Sequence, residues 1–471
     1  MKKDETNTTP TGQLYFEGLP DLGNEEIIEK PPEQHANENS PVNLVTDFEK
    51  FILYCQHNTV HLTKTKERIS RKHLPVINAL LTVQTKDSTP YTEQEYYPYI
   101  HFLYHVARGG RLLTIVPGKA GKMQLAGTDR VELFLALRDI EKYFFLLETF
   151  WIDVDWAKIQ NNSRNTVANT YEDVFATLRH ETPGKKWVLK NPMTDAGHEI
   201  AQSTFDWHFF LLYFEWLGLW MCEEDVGRKE QRGSKSVYFA KNITVTPFGF
   251  SLMPILLFSR NIAAWNIAIR RSLGEYNGIP GSDVESALGF ILSDEDFEQV
   301  LMNVHEDQSD QPFYQPFTAL FPLGELAHTL PRNRTRFTEG AYTFNVTYAP
   351  DVWRKIVLSA QQTMDDLHKL ILHSFQFDDD HLYAFFMDGQ KWSQQSIASP
   401  HDDSGNGNAY KIQIGFLGLT PTQRFLYIND YIDEWTFTIE VEQIEETVVK
   451  RFKPYVKDQK GESPEQYWDY F

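Results

Sequence analysis

Cysteine is nearly missing from this chain: Cys55 and Cys222 are the two thiols in 471 residues. So few, so far apart, they exclude a disulfide framework and a zinc-finger cluster. Both stand in apolar runs that read as helical, where a reduced thiol is buried. Cations are also short, 45 Lys and Arg against 65 Asp and Glu. The resulting net charge of -20 excludes a surface coated with phosphate contacts, although one local basic face remains compatible with it. No apolar run reaches the about 20 residues of a membrane span; the strongest, 207–222, contains His208 and Glu215. The opening MKKDETNTTP lacks the apolar stretch of a secretion signal, so a soluble, cytoplasmic protein is expected. The Asn-x-Ser/Thr matches at Asn242 and Asn345 are then chance. Gly-rich phosphate loops, GxSxG elbows, HExxH and paired CxxC are absent, which lowers the expectation of an enzyme and implies no cofactor.

What is abundant is aromatic: 14% of residues, enough to predict ring-packed cores over most of the length. Residues 1–45 are the exception, rich in Asp, Glu, Pro, Asn and Thr, and read as a disordered acidic arm. From 46 to 156 the pattern is helix, helix, helix, then a two-stranded wing. Phe48, Phe51, Ile52 and Cys55 recur at helical spacing, Ser70 is a candidate N-cap for a helix through Leu81, and Pro98 opens a helix closed by Gly109-Gly110. RLLTIV and the segment after PGKAGK form the hairpin, and a helix over 129–151 closes the unit. This is the order of a winged-helix module. A linker over 157–186, with a helical patch at 171–178, leads to a second mainly helical domain, 187–305. There a helix over 207–221, a charged excursion, a strand-to-helix run at 237–256 and a helix over 283–304 are expected. A shared strand-turn-Gly rhythm leaves open whether this unit repeats the first. A second linker, 306–339, precedes an α+β domain at 340–446, and 447–471 reads as a mixed-charge tail.

In that α+β domain Tyr342, Phe344, Val346 and Tyr348 alternate along one strand, and WRKIVLS supplies a second. Thr363 and Asp366 make a capping box for a helix whose inward stripe is Met364, Leu367, His368, Ile371 and Phe375. Strands follow at HLYAFFM, around YKIQIGF, at RFLYI and at WTFTIEVEQI, where Trp435, Phe437, Ile439 and Val441 face inward. One helix across a mixed sheet resembles a β-grasp arrangement.

The blocks VWRKI at 352–356, TMDDLHKLILHSFQFDDDHLYAF at 363–385 and FLYINDYIDEWTFTIEV at 425–441 resemble the plasmid pRiA4b ORF-3-like family. LTKT at 62–65 and LLETFW at 146–151 resemble the winged-helix-like N-terminal region of some members. The resemblance implies a bacterial setting, on plasmids, mobile elements or chromosomes, and no assigned activity. Two departures stand out. Ile432 occupies a place where the family usually has Gly, and Thr436 follows the Trp where relatives often have His.

Chemistry concentrates in two places. Asp378, Asp379, Asp380 and His381, with Asp430, Asp433 and Glu434, are of the residue types that bind a divalent metal, run acid-base chemistry, or form a ligand or partner surface. Three adjacent acids cannot all face one ion and no recognised metal-motif spacing is present, so no metal site is assigned. The competing reading is a helix-to-strand turn in which Asp side chains bond local backbone. Arg354 is expected to pair with one of these carboxylates, Tyr383 to stand beside them, Trp353 to be core, and His368 to be a hydrogen-bonded core histidine. The second place is basic: Lys64, Lys66, Arg68, Arg71 and Lys72 before a helix, and Lys119 and Lys122 on the wing, where phosphates would be met. The sequence thus supports a non-enzymatic DNA- or protein-binding module. A metal-dependent hydrolase or nuclease built on the acidic turns is the alternative.

Overall fold

The structure is a computed structural model that describes residues 41–63, 66–86, 88–118, 122–160, 167–189, 209–227, 238–272, 276, 279–282, 309–332, 337–393, 395–402, 407–445 and 452–467. Helix α1, Pro41–His57, begins inside the stretch expected to be an acidic arm, because Leu44 and Val45 join Phe48, Phe51, Ile52 and Cys55 in the core. Residues 1–40 of that arm and the helix expected over 283–304 lie outside the described residues. Strand β1, Val60–His61, leads to α2, Leu74–Leu80, and α3, Pro98–Gly109. The start of α2 falls at Leu74 and not at Ser70, since Ser70 only accepts a turn bond from His73 N and Pro75 sits in the first helical turn. The hairpin β2, Leu113–Pro117, and β3, Met123–Gly127, then completes a sheet of order β1-β3-β2. The single helix expected next is two, α4, Arg130–Leu135, and α5, Asp139–Ile152. Arg138 between them is extended, and its N–H donates to Glu141 Oε2 at 3.1 Å, capping α5 afresh.

After α6, Trp156–Ile159, and α7, Val167–Leu178, come β4, Lys186–Val188, α8, Phe210–Trp216, β5, Trp220–Glu224, and β6, Ala240–Val245. The second sheet has the order β4-β6-β5, so in both sheets the last strand in sequence is the middle one in space. The long helix expected over 207–221 stops at Trp216 because Gly218 takes a φ of 81°, a conformation a side chain would strain. Cys222 therefore stands on β5 and not in a helix. Thr246 Oγ1 accepts from Gly249 N at 2.8 Å to start α9, Pro247–Pro254. α10, Ile262–Trp265, and α11, Ile267–Ser272, follow.

Rings tie these two sets of elements together. Phe102 of α3 stacks on Tyr213 of α8 with centroids 5.5 Å apart, and Tyr99 meets Trp216 at 4.8 Å. Phe150 of α5 packs against both Phe102 and Phe214. A single buried cluster consequently runs from Leu44 to Leu330. No described helix is long and apolar enough to cross a membrane.

The C-terminal domain contributes β7, Ala341–Ala349, β8, Val352–Ser359, α12, Met364–Phe375, β9, Tyr383–Phe386, β10, Ser396–Ala398, β11, Arg424–Asn429, β12, Trp435–Glu445, and β13, Tyr455–Lys460. Their order is β10-β9-β11-β12-β7-β8-β13, and all six pairings are antiparallel, whereas a mixed sheet was expected. The reason is topological. The crossover through α12 brings β9 back in the direction of β8, but β7, β12 and β11 stand between those two strands. The protein is thus α+β, with helices and antiparallel sheets and one large C-terminal sheet.

The alternation on β12 is as expected, with Trp435, Phe437, Ile439 and Val441 buried. The segment around YKIQIGF is not a strand. Its Ile414 N donates to Gln362 O at 2.8 Å and its Ile412 O accepts from Met364 N at 2.9 Å, so it lies along the entry to α12. Residues expected as a tail supply β13, which closes one edge of the sheet against β8.

Candidate functional site

Helix α12 is set by the expected capping box: Thr363 N donates to Asp366 Oδ2 at 2.8 Å, and Asp366 N to Thr363 Oγ1 at 3.1 Å. This start fixes which residues point at the sheet. His368, buried on that face, lies flat on the Tyr383 ring with centroids 3.5 Å apart and planes 9° from parallel. Its Nε2 is 3.0 Å from Asp379 Oδ1 and its Nδ1 is 2.7 Å from Tyr427 OH. A carboxylate can only accept, so Nε2 carries the hydrogen and Nδ1 accepts from the phenol. Burial lowers the His368 pKa against the pull of Asp379, and burial raises those of Tyr427 and Tyr383. Tyr383 OH donates to Asp365 Oδ1 at 2.6 Å, and Lys369 Nζ meets Asp365 Oδ2 at 2.7 Å. Burial pushes the Asp365 carboxyl up, but the Lys369 and Tyr383 bonds outweigh it and hold its pKa below the ordinary value.

Carboxylate, imidazole and phenol in a row have the composition of a proton relay. Yet Tyr427 is fully buried and its hydroxyl is engaged with His368, so no reactant reaches the far end. The expectation of a hydrogen-bonded core histidine describes His368 as it stands.

The acidic turn before β9 is divided among different partners. Asp378 N donates to Gln466 Oε1 at 2.6 Å, Asp379 holds His368, and Asp380 Oδ2 accepts from Tyr467 OH at 2.7 Å. That last bond pushes the Tyr467 phenol up to about 12. His381 Nε2 lies 3.3 Å from Asp380 Oδ1 and 3.6 Å from Asp430 Oδ2 and makes a hydrogen bond to neither. Asp430 is buried, and its Oδ1 accepts from Ile432 N at 2.8 Å. Asp433 is exposed and does not join them. Among the described residues no three His, Cys, Asp or Glu are placed to hold a metal ion.

Two other expectations about this region are corrected. Arg354 pairs with no acidic turn: it is buried, with Nε donating to Ser374 O, Nη1 to Trp353 O and Lys460 O, and Nη2 to Ser463 Oγ, all at 2.9–3.0 Å. Its guanidinium also covers the Phe375 ring at 4.4 Å. Arg354 points inward from β8 toward α12 and β13, where carbonyls and not carboxylates are within reach. Trp353, on the opposite face, is half-buried beneath Lys355 and is not core. Tyr383 is likewise interior, so of the seven candidate surface residues Asp378, Asp380, His381 and Asp433 remain accessible, with Asp430 just beneath them.

At the position where the family usually has Gly, Ile432 is 90% exposed. The left-handed backbone falls on its flanks instead, at Asp430 with φ 59° and Glu434 with φ 49°. Glu434 N donates to Asp430 O at 2.8 Å, closing the turn.

The basic group in the helical body is mostly neutralised. Lys66 pairs with Glu95 at 3.4 Å and Glu93 at 3.9 Å, Arg68 with Glu95 at 3.4 Å, and Arg71 with Glu93. Lys72 and Lys122 are exposed, while Lys64 and Lys119 lie outside the described residues. The acids were legible in TEQEYY at 92–97, but their approach to the earlier loop was not.

Sequence reasoning also missed Asn429 and Trp435, cross-strand partners on β11 and β12. Neither Asn429 Nδ2 nor Trp435 Nε1 has a protein acceptor, although both side chains are buried. Strand alternation alone marks them as inward-facing; nothing in it reveals that their donors are unmatched.

The C-terminal domain is therefore an antiparallel α+β unit with one capped helix laid over it and an acidic sheet end. Residues 343–467 match the family described as plasmid pRiA4b ORF-3-like protein. A crystal structure of a protein of unknown function from Methanosarcina mazei Go1 is 21% identical, over 27% of this chain and 72% of its own, with a TM-score of 0.23. No curated protein matches the chain.

Proposed function

We propose that this chain is a non-enzymatic protein-binding module, in which two winged-helix-like units and a β-grasp-like domain form a scaffold. The two sheets of order β1-β3-β2 and β4-β6-β5 support the winged-helix reading of both units, and the single α12 over the large sheet supports the β-grasp reading. The observation that favours protein over DNA is the placement of the helices that lead into the two hairpins. A winged helix that reads DNA offers the helix before its wing to the groove, whereas α3 and α8 bury their rings against one another. Lys66, Arg68 and Arg71, three of the five described cations of the basic group, are matched by Glu93 and Glu95.

Fluorescence anisotropy on mixed-sequence duplex DNA at low salt tests this. No saturable binding is expected, and none that Lys66→Glu with Arg71→Glu abolishes. Nanomolar binding with a steep salt slope, lost in that variant, would refute the proposal. Its positive arm is cross-linking of the intact chain in its host, where a stoichiometric protein partner is expected.

A further inference from the structure

A cavity of about 600 Å³ opens in the helical body, between the end of α3, the start of α4, the last turn of α5 and residues 309–332. That volume falls in the roughly 300–1,000 Å³ range of small-molecule sites. Trp265, Phe313 and Leu330, all buried, close the cavity behind. Leu133, Ile279 and Tyr314 keep accessible surface along its walls.

The acids that α5 brings to this space are already engaged. Arg332 Nε lies 3.5 Å from Glu148 Oε1 and its Nη2 meets Asp153, while Thr329 Oγ1 donates to Glu148 Oε2 at 2.8 Å. Two further arginines line the same cavity. Arg130 Nε donates to Gly110 O at 3.1 Å and Nη1 to Pro331 O at 3.0 Å. Those carbonyls fix the guanidinium but leave its charge without an ion pair among the described residues. Arg111 is exposed, and its guanidinium makes neither a hydrogen bond nor an ion pair among the described residues. Burial first, then Arg332 and Arg111, hold the Arg130 pKa below its ordinary value, with Asp153 and Asp129 opposing. Positive charge is therefore in excess along this wall, even with Asp129 exposed beside it.

The backbone singles out Arg111 independently of charge. A helix end like that of α3 commonly gives its left-handed position to glycine. Gly110 does not take it, at φ −72°, whereas Arg111 does, at φ 57°. Arg111 N donates to Arg108 O at 3.1 Å and Leu112 N to Ala107 O at 3.0 Å, bonds that glycine at 111 would make equally well. The helix end thus gains nothing from an arginine there, and the strain is kept where that arginine lines a cavity.

We propose that this cavity binds a small organic anion, its carboxylate or phosphate head between Arg111 and Arg130 and its apolar body along Leu133, Ile279 and Tyr314. Two guanidiniums without carboxylate partners recognise the head, and the apolar walls recognise the body. The site is independent of the protein-binding reading and stands or falls without it.

The test is isothermal titration calorimetry of the full chain with phenyl phosphate and, separately, with benzoate. At least one should saturate a single site per chain, and the tighter of the two identifies the head. Benzyl alcohol lacks the anion, and inorganic phosphate and acetate lack the apolar body, so each should bind at least about tenfold more weakly. Arg111→Gly should weaken binding about tenfold at a melting temperature no lower than that of the wild type. Arg130→Gln should weaken it at least as much, and Arg111→Gly carries the test if that variant does not fold. Asp129→Asn, which removes the opposing charge, should tighten binding about threefold. No binding of either acid, equal binding of benzyl alcohol or of the two small anions, undiminished binding by Arg111→Gly, or binding that Asp129→Asn does not tighten would each overturn the inference.

Discussion

Acid should weaken the helical body through His101. This imidazole is buried on α3, with Nδ1 3.0 Å from Gln94 Nε2 and Nε2 3.0 Å from Ile159 O. A carbonyl only accepts, so Nε2 carries the one hydrogen and Nδ1 receives the Gln94 amide; a second proton would break that bond. Burial chiefly, and Arg68 next, lower the pKa from 6.5 to about 3, with Glu95 and the Ile159 bond opposing. A base depressed in the folded state takes up its proton preferentially on unfolding. Its contribution is therefore complete above about pH 6.5 and lost as pH falls below that value, at about 1.4 kcal/mol per pH unit until the folded pKa is reached. Going from about pH 8 to about pH 5 should cost about 2 kcal/mol from His101 alone. His105, at 4.5 Å between ring centroids and lowered mainly by burial, adds to it. His101→Gln keeps an amide donor for Ile159 O and removes the titration. Urea unfolding followed by tryptophan fluorescence should show lower stability for the variant at about pH 8 but a pH dependence flatter by about 2 kcal/mol. An unchanged pH dependence in His101→Gln, or a wild type equally stable at both pH values, would refute the reasoning.

Arg354→Met should lose about 3 kcal/mol, because it strips donors from Ser374 O and Lys460 O, and hydrogen exchange should quicken at β13 amides before those of β7 and β12. Gly249→Ala would place a Cβ 1.8 Å from Leu219 O, so a loss of about 4 kcal/mol or more, read as insoluble expression, is expected. Arg111 holds a φ of 57° on the surface, and Arg111→Gly should gain about 1 kcal/mol, measured as a raised melting temperature.

Local pattern carried much of the architecture. Alternation at 435–441, the Thr363–Asp366 box and the Pro98 to Gly109 helix were readable because each depends on neighbours a few residues away. What escaped depends on distant approach. The break at Gly218 follows from an αL residue that the apolar run around it disguised. Arg354 was assigned to a carboxylate because charge is visible in sequence, whereas carbonyls offered by Ser374 and Lys460 are not. The same holds for the site. The acids at 378–380 were evident, but their division among His368, Tyr467 and Gln466, and the unmatched Asn429 and Trp435 donors, required the sheet register.

The aromatic seam between α3 and α8 makes each half of the helical body the other's shield from water. A fragment ending before α8 would present Tyr99 and Phe102 as an open sticky stripe, and self-association would follow. Supplied together as separate polypeptides, the halves would have a ready-made interface and should reassemble without new contacts. For the same reason two intact chains could trade halves at high concentration, a domain-swapped dimer in which every ring finds its usual neighbour on another molecule.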